Sequence, residues 1–491
     1  MSDRGCPADA PAFEPATTLL EQLRARRIGS RELLEYFIQR VERYDSRVNA
    51  VVVRDFERAR ERADAADRAI QRGEPLGPLH GLPMTIKESF WLAGTPTTFG
   101  FPEFRHNIAT SDAVVVQRLL KAGAVIFGKT NVPPGLMDGQ SWNEVYGRTN
   151  NPWNTSRTPG GSSGGSAAAL AAGLTGLELG SDIASSIRNP SHYCGVFGHK
   201  PTYGMCPQQG HMLVEILQAT DIAVVGPLAR SARDLELELA IIAGPAGAEA
   251  STYSVALPRP RRQRLCDFRV AILFDDAFAK VDRQVQDQLA RLRDFLAKEG
   301  ANVAEGERPA FDTEEYYRLF MVLLRAAGAA GIPDEEFARN VELARGAGIA
   351  TRDMARLNAY GATLSHRDWL RLNEKRQRYR QEWRRFFERF DLLLCPVLST
   401  PAFPHSTVPP QQRTLTVNGR EEPFENQLFW AGFAGLSYLP VSVAPIGLTP
   451  DGLPVGVQII GPQYGDLTCL KFAQLLEERY RRFVPPPGFE D

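Results

Sequence analysis

Seven residues, Gly160-Gly161-Ser162-Ser163-Gly164-Gly165-Ser166, run straight into Ala167-Ala168-Ala169-Leu170-Ala171-Ala172. Glycine tolerates dihedrals that other residues resist, so such a stretch lifts hydroxyls and backbone N–H groups out of regular structure. The small side chains that follow predict a helix packed closely on a sheet. The segment therefore confines the chain to folds in which a loop opens directly into a helix lying on strands. A phosphate loop also sets glycines and a hydroxyl before a helix. It would need a lysine followed by Ser or Thr at its end, whereas here Ser166 and alanines follow.

A second serine-rich turn, Gly180-Ser181-Asp182-Ile183-Ala184-Ser185-Ser186-Ile187-Arg188, places Ser186 24 residues after Ser162. Upstream, Leu82-Pro83-Met84-Thr85-Ile86-Lys87 sets a lysine in an apolar frame, 75 residues before Ser162. A serine hydroxyl is a poor nucleophile until a base removes its proton. Lysine is normally protonated at neutral pH, but desolvation disfavours the ammonium and can leave a neutral base. Two such turns and a lysine are the parts of a serine hydrolase that uses no histidine. A lone lysine is ordinarily a solvated surface residue; Met84, Ile86, Phe90 and Trp91 set Lys87 apart. No Gly-x-Ser-x-Gly elbow stands beside a strand in the context of a Ser-His-Asp enzyme, so His192 and His199 read as packing residues.

Composition excludes several other classes. Lys+Arg 57 against Asp+Glu 58 gives a net charge of −1 with no dominant basic block, which argues against nucleic acid as a partner. The arginine-dense stretch 371–389 alternates with aromatics and glutamates and reads as an exposed helix face. Cys6, Cys194, Cys206, Cys266, Cys395 and Cys469 are scattered, with no Cys-x-x-Cys pair, so neither a metal site nor a disulfide framework is expected. The N-terminus lacks the apolar core of a signal peptide, and the small-apolar run Ala167–Leu177 is too short to span a bilayer. The expectation is a cytoplasmic enzyme with no membrane partner.

Along the chain, residues 1–16 are expected to be a flexible tail and 17–491 a single α/β domain with a mixed central β-sheet flanked by helices. Thr18–Glu21 fits a helix-opening capping box. Helices are predicted after Ser30 and over 55–72, 113–122, 166–172, 233–242, 282–299, much of 312–390, and 467–480. Strands are predicted at Val51–Val53, Met84–Ile86, Val125–Phe127, Leu177–Leu179, Phe268–Leu273, Leu392–Cys395, Pro440–Val443 and Val455–Ile460, those at both chain ends sharing one sheet.

Together, Pro159–Gly173, Gly180–Ile183 with Ser186-Ile187-Arg188, and Cys194-Gly195-Val196-Phe197-Gly198-His199-Lys200-Pro201-Thr202 resemble the amidase signature family. Gly81–Glu88, Gly128-Lys129-Thr130-Asn131, Tyr146–Trp153 and Gly452–Gln458 match its flanking blocks. The resemblance is strongest over residues 75–235. It implies a catalytic lysine, a serine held by a cis peptide and a nucleophilic serine, which carry over to Lys87, Ser162 and Ser186. Ser162 would relay the proton from Ser186 to Lys87 and return it to the leaving amine. Backbone N–H groups of Ile183, Ala184, Ser185 and Ser186 would bind the developing oxyanion. Ser163, Asp182 and Arg188 would stand behind them, Asp182 and Arg188 flanking Ser186 as a buried pair, with contact between Arg188 and substrate as the alternative. In one departure, Ala184 and Ser185 replace two glycines that usually precede the nucleophile. If those positions need positive φ, the oxyanion turn would be strained.

Pocket candidates are Met137, Asp138, Gly139, Gln140, Trp142 and Tyr146, the Gly210–Thr220 loop, and Phe424–Phe433 with Phe429 and Trp430. Their aromatic density points to a neutral acyl or aryl group. The reading is a hydrolase of neutral carboxamides, anilides or related carbamates, with ester cleavage as a neighbouring activity, no cofactor or metal, and no obligatory protein partner. Two alternatives are a glutaminase subunit of a tRNA-dependent amidotransferase and a non-catalytic binding protein on the same fold.

Overall fold

Apolar runs supply the strands of a central sheet. In the computed structural model, which describes residues 11–213 and 218–490, these strands are β1 (Val51–Arg54), β2 (Pro83–Lys87), β3 (Val125–Thr130), β4 (Glu178–Asp182), β5 (Phe197–Lys200), β6 (Val224–Ala229), β7 (Arg269–Ile272), β8 (Asn302–Glu305), β9 (Leu392–Pro396), β10 (Val441–Leu448) and β11 (Pro454–Ile460). They form one 11-stranded sheet in the order β1-β3-β2-β4-β6-β5-β10-β11-β9-β7-β8. β2 lies parallel to both β3 and β4, whereas β4–β6, β5–β6 and β10–β11 are antiparallel, so the sheet is mixed. Helices cover it, and strands from both ends of the chain pair within it, which makes a single α/β domain.

Three of these strands escape the sequence reading. Gly198, His199 and Lys200 break the apolar pattern of β5, and Gly226-Pro227 interrupt β6. The edge strand β8 is short, with Asn302 and Glu305 exposed, so it carries little hydrophobic signal. The helix Gly164–Ala171 is buried over its whole length. Its glycines permit very close packing: a Cβ on Gly165 would lie 2.3 Å from the backbone nitrogen of Asn131, just beyond β3.

The first helix runs from Ala16 to Arg24, earlier than the Thr18–Glu21 capping box suggests. Asp234, in the distant helix Ala232–Ile242, provides the cap by accepting the N–H groups of Ala16 and Thr17 at 2.8 and 2.8 Å. Of the expected N-terminal tail, residues 1–10 lie outside the described residues. Pro11–Phe13 form a 3-10 turn with Ala12 buried. Among the described residues no helix is long and apolar enough to cross a membrane.

The Asp234 cap carries an expected outcome. Asp234→Ala strands two N–H groups beside the buried Ala16 and should lower the free energy of unfolding by about 1–3 kcal/mol, seen as a lower urea midpoint at unchanged slope. A wild-type midpoint would show that this carboxylate does not hold the helix.

Candidate active site

The parallel strands β2 and β4 end side by side, and the chemistry-bearing side chains gather at their carboxyl ends. Open α/β sheets commonly place their sites there. β2 delivers Lys87, β4 delivers Ser181 and Asp182, and the loop before the helix Gly164–Ala171 delivers Ser162 and Ser163. Lys87 Nζ lies 2.6 Å from Ser162 Oγ and 2.8 Å from Ser181 Oγ. The Gly161–Ser162 peptide bond is cis.

Lys87 is 0% exposed, Ser162 1% and Ser186 7%. Burial drives the Lys87 ammonium down to about 7, against the opposing pull of Asp182 and Glu178. Ser186 sits in the turn after β4, and its carbonyl accepts the Ser163 N–H at 3.1 Å, which fixes the two serine turns against each other. The described hydrogen bonds do not include one between Ser162 Oγ and Ser186 Oγ.

Asp182 organises the second turn. Its carboxylate accepts the N–H groups of Ser185 and Ile187 at 3.0 and 3.0 Å and pairs with Arg188 Nη2 at 2.8 Å, with neither side chain exposed. Burial alone would raise this carboxyl, but Arg188, Lys200 and the Ile187 N–H together hold Asp182 at about 2. Arg188 also donates to the Ala431 carbonyl at 2.8 Å and to Gln458 Oε1 at 2.9 Å, tying the turn to the helix Leu428–Gly435 and to β11. Because the Ser185 N–H is taken by Asp182, the expected oxyanion donors reduce to Ile183, Ala184 and Ser186. Of the two replaced glycines, Ser185 has φ +87°, while Ala184 is not among the positive-φ residues.

The pocket candidates divide. Residues 138–140 lie directly against the Ser162 loop, since a Cβ on Gly161 would meet the Asp138 carbonyl at 2.3 Å and that of Gln140 at 2.5 Å. Asp138 is bound to Arg413 at 2.7 Å, and Gln140 exchanges hydrogen bonds with the Ser406 backbone at 2.9 and 2.9 Å. Gly139 abuts Phe424 and Asn189. Tyr146 donates to Glu88, the neighbour of Lys87, at 3.1 Å. Met137 and Trp142 face outward, 71% and 38% exposed. Phe429 and Trp430 are core residues: Phe429 packs at tilted angles among Phe278, Tyr317 and Phe433. Of the Gly210–Thr220 loop, residues 214–217 lie outside the described residues; His211 bonds Ser89 at 3.0 Å.

His192 and His199 are wholly structural in their contacts. His192 bridges the Thr400 carbonyl and the Gly456 N–H, and His199 bridges Ser442 and Asp466. The sequence reading missed Ser181, Gln458 and Glu178 as neighbours of the site. The first two stood inside quoted motif blocks, but their partners, Lys87 on β2 and Arg188 at the start of the helix Arg188–Cys194, are far from them in sequence or on another element.

A family model described as Amidase matches residues 32–470. The chain is similar to an acylamidase of Rhodococcus erythropolis, 33% identical over 94% of this chain and 94% of the relative. It is also similar to a glutamyl-tRNA(Gln) amidotransferase subunit of Anaeromyxobacter sp. (strain K), 33% identical over 94% of this chain and 95% of the relative. Among solved structures, 6-aminohexanoate cyclic dimer hydrolase superposes with a TM-score of 0.77 at 26% identity, covering 98% of this chain and 100% of that one.

The contact between the 138–140 loop and the Ser162 loop is a backbone-to-backbone approach that only glycine permits. Gly161→Ala should lower thermal stability by about 1–3 kcal/mol as the loops part. Wild-type thermal unfolding would contradict so close an approach.

Proposed function

The chain belongs to the amidase family and is an amide-cleaving hydrolase; on that premise we propose that Ser186 is its nucleophile, Lys87 its base and Ser162 the relay between them. The observation that carries this reading is a fully buried lysine whose Nζ lies 2.6 Å from a serine hydroxyl beside a second serine turn. In the proposed cycle Ser162 passes its proton to Lys87 and receives that of Ser186, whose Oγ bonds to the substrate carbonyl carbon. The N–H groups of Ile183, Ala184 and Ser186 stabilise the resulting oxyanion. Collapse breaks the C–N bond, and the proton held on Lys87 returns through Ser162 to the leaving amine. Water then enters by the same route and releases the acid. The link from Ser162 to Ser186 forms by rotation of a hydroxyl side chain when substrate is bound.

The substrate we infer is a neutral carboxamide or anilide, with carbamates and esters as neighbouring substrates. Two of the charged side chains beside the site are paired within the protein, Asp138 with Arg413 and Asp182 with Arg188, which leaves those two no charge to offer a charged substrate. Ile183 and Ala184 present partly buried apolar surface at the turn. The likeness to an amidotransferase component supports a second reading, a glutaminase that works with a partner. Release of aniline from a simple anilide by the purified chain, without partner or ATP, supports the first reading; glutamine hydrolysis that requires a partner supports the second.

The acid side of the pH profile follows from Lys87. Below about 7 the amine holds its proton and cannot serve as a base, so kcat/KM for amide hydrolysis should rise with pH through a pKa near 7. Lys87→Ala should reduce kcat/KM by about 10³-fold, and Ser186→Ala should abolish fluorophosphonate labelling. Near-wild-type hydrolysis by Lys87→Ala, or labelling that survives in Ser186→Ala, would refute these assignments.

A further inference from the structure

Glu178 lies on β4, fully buried, and takes no direct part in the cycle above. It faces Thr85 across the β2–β4 pair, and Thr85 Oγ1 donates to its Oε1 at 2.5 Å. Thr130 on β3 reaches its other oxygen at 3.5 Å and is itself bonded to Ser166 at 2.9 Å. Thr85 and Lys87 are two residues apart on one strand, so they share a face. The carboxyl held by Thr85 therefore occupies the same side of β2 as the amine. Its described hydrogen-bond partners are neutral hydroxyls, and it belongs to none of the described ion pairs.

Of the two carboxylates whose charge acts on Lys87, Asp182 and Glu178, Glu178 is the one without a paired cation among the described residues. Asp182 is neutralised by Arg188. Glu88 is engaged by the N–H groups of Thr98 and Phe99 and by Tyr146. His211 is held at about 3 by burial and by the repulsion of Lys87, so it is uncharged at neutral pH. Glu238, in the helix Ala232–Ile242, has both oxygens buried without a partner; burial first, then Glu178 and Asp234, push its carboxyl well above the usual range.

We infer that Glu178 is a positioning residue for Lys87, a second proton-holding group in the same sealed space whose charge decides how readily Lys87 gives up its proton. The inference rests on Lys87 acting as the base. Burial pushes the Glu178 carboxyl up to about 8, close enough to the Lys87 value of about 7 that the two groups titrate over overlapping pH ranges and the ionised fraction of the carboxyl pulls on the amine. Once ionised, the carboxylate attracts the ammonium and holds the proton on Lys87. Glu178 thereby limits the pH range in which the neutral amine forms easily.

The test is the pH profile of kcat/KM for an anilide, read as the midpoint of its acid limb rather than its height. Glu178→Gln keeps the shape and removes the ionisable carboxyl, so the limb should move to lower pH by about a few tenths of a unit. Thr85→Val removes a hydroxyl that favours the ionised carboxylate and should move the limb the same way by less; it decides the matter if Glu178→Gln does not fold. Lys87→Ala is measured alongside. Loss of rate in Lys87→Ala, with an unmoved or upward-shifted limb in the folded variants, overturns the role of Glu178 alone. Retention of rate in Lys87→Ala overturns the underlying assignment of the base.

Discussion

The site depends on the removal of one ammonium group from water. Lys87 ends a strand flanked on both sides by parallel neighbours, so no edge of β2 is open to solvent. A charged amine there would lose its hydration and gain only two hydroxyl partners, Ser162 and Ser181. The low proton affinity of the amine is thus a property of sheet order. A lysine of the same sequence context on an edge strand would stay protonated and useless as a base.

Burial of that kind requires the loops above the sheet to close without bulk. Gly161 and Gly165 lie where a single Cβ would strike neighbouring backbone, and the alanines that follow keep the helix Gly164–Ala171 against the sheet. Packing and reactivity are therefore the same requirement in this region. The small residues exclude the water that would otherwise solvate Lys87, and they bring the Ser162 loop within reach of its amine.

Periodic apolar runs made most of the sheet legible in the sequence, because a buried strand needs apolar side chains whatever its neighbours are. β5 was hidden because His199 and Lys200 are buried polar residues, His199 being satisfied by the distant Ser442 and Asp466, and β6 because Gly226-Pro227 interrupt its apolar run. The spacing of Lys87, Ser162 and Ser186 and the family resemblance marked the three residues proposed as the reactive groups. The contribution of Glu178 was not legible, since a glutamate between two leucines carries no sign of the threonines it meets across the sheet. Phe429 and Trp430 show the complementary limit. Aromatic density announces burial, but the choice between pocket wall and core depends on what packs opposite, and here Phe278, Tyr317 and Phe433 make it core.

The replacement of two glycines before Ser186 divides in the same physical terms. Ala184 avoids the left-handed region, so at that position the turn asks nothing that alanine cannot supply. Ser185 does adopt it, at φ +87°, a conformation that costs a non-glycine residue about 1–3 kcal/mol. The Asp182 carboxylate offsets that cost by accepting the N–H groups of Ser185 and Ile187 while Arg188 holds it ionised, and each hydrogen bond to a charged group contributes about 1.5–3 kcal/mol. In this chain the shape of the turn before Ser186 is therefore imposed by a buried ion pair rather than permitted by glycine. A turn shaped that way has less freedom to adapt to its substrate than one built on glycine.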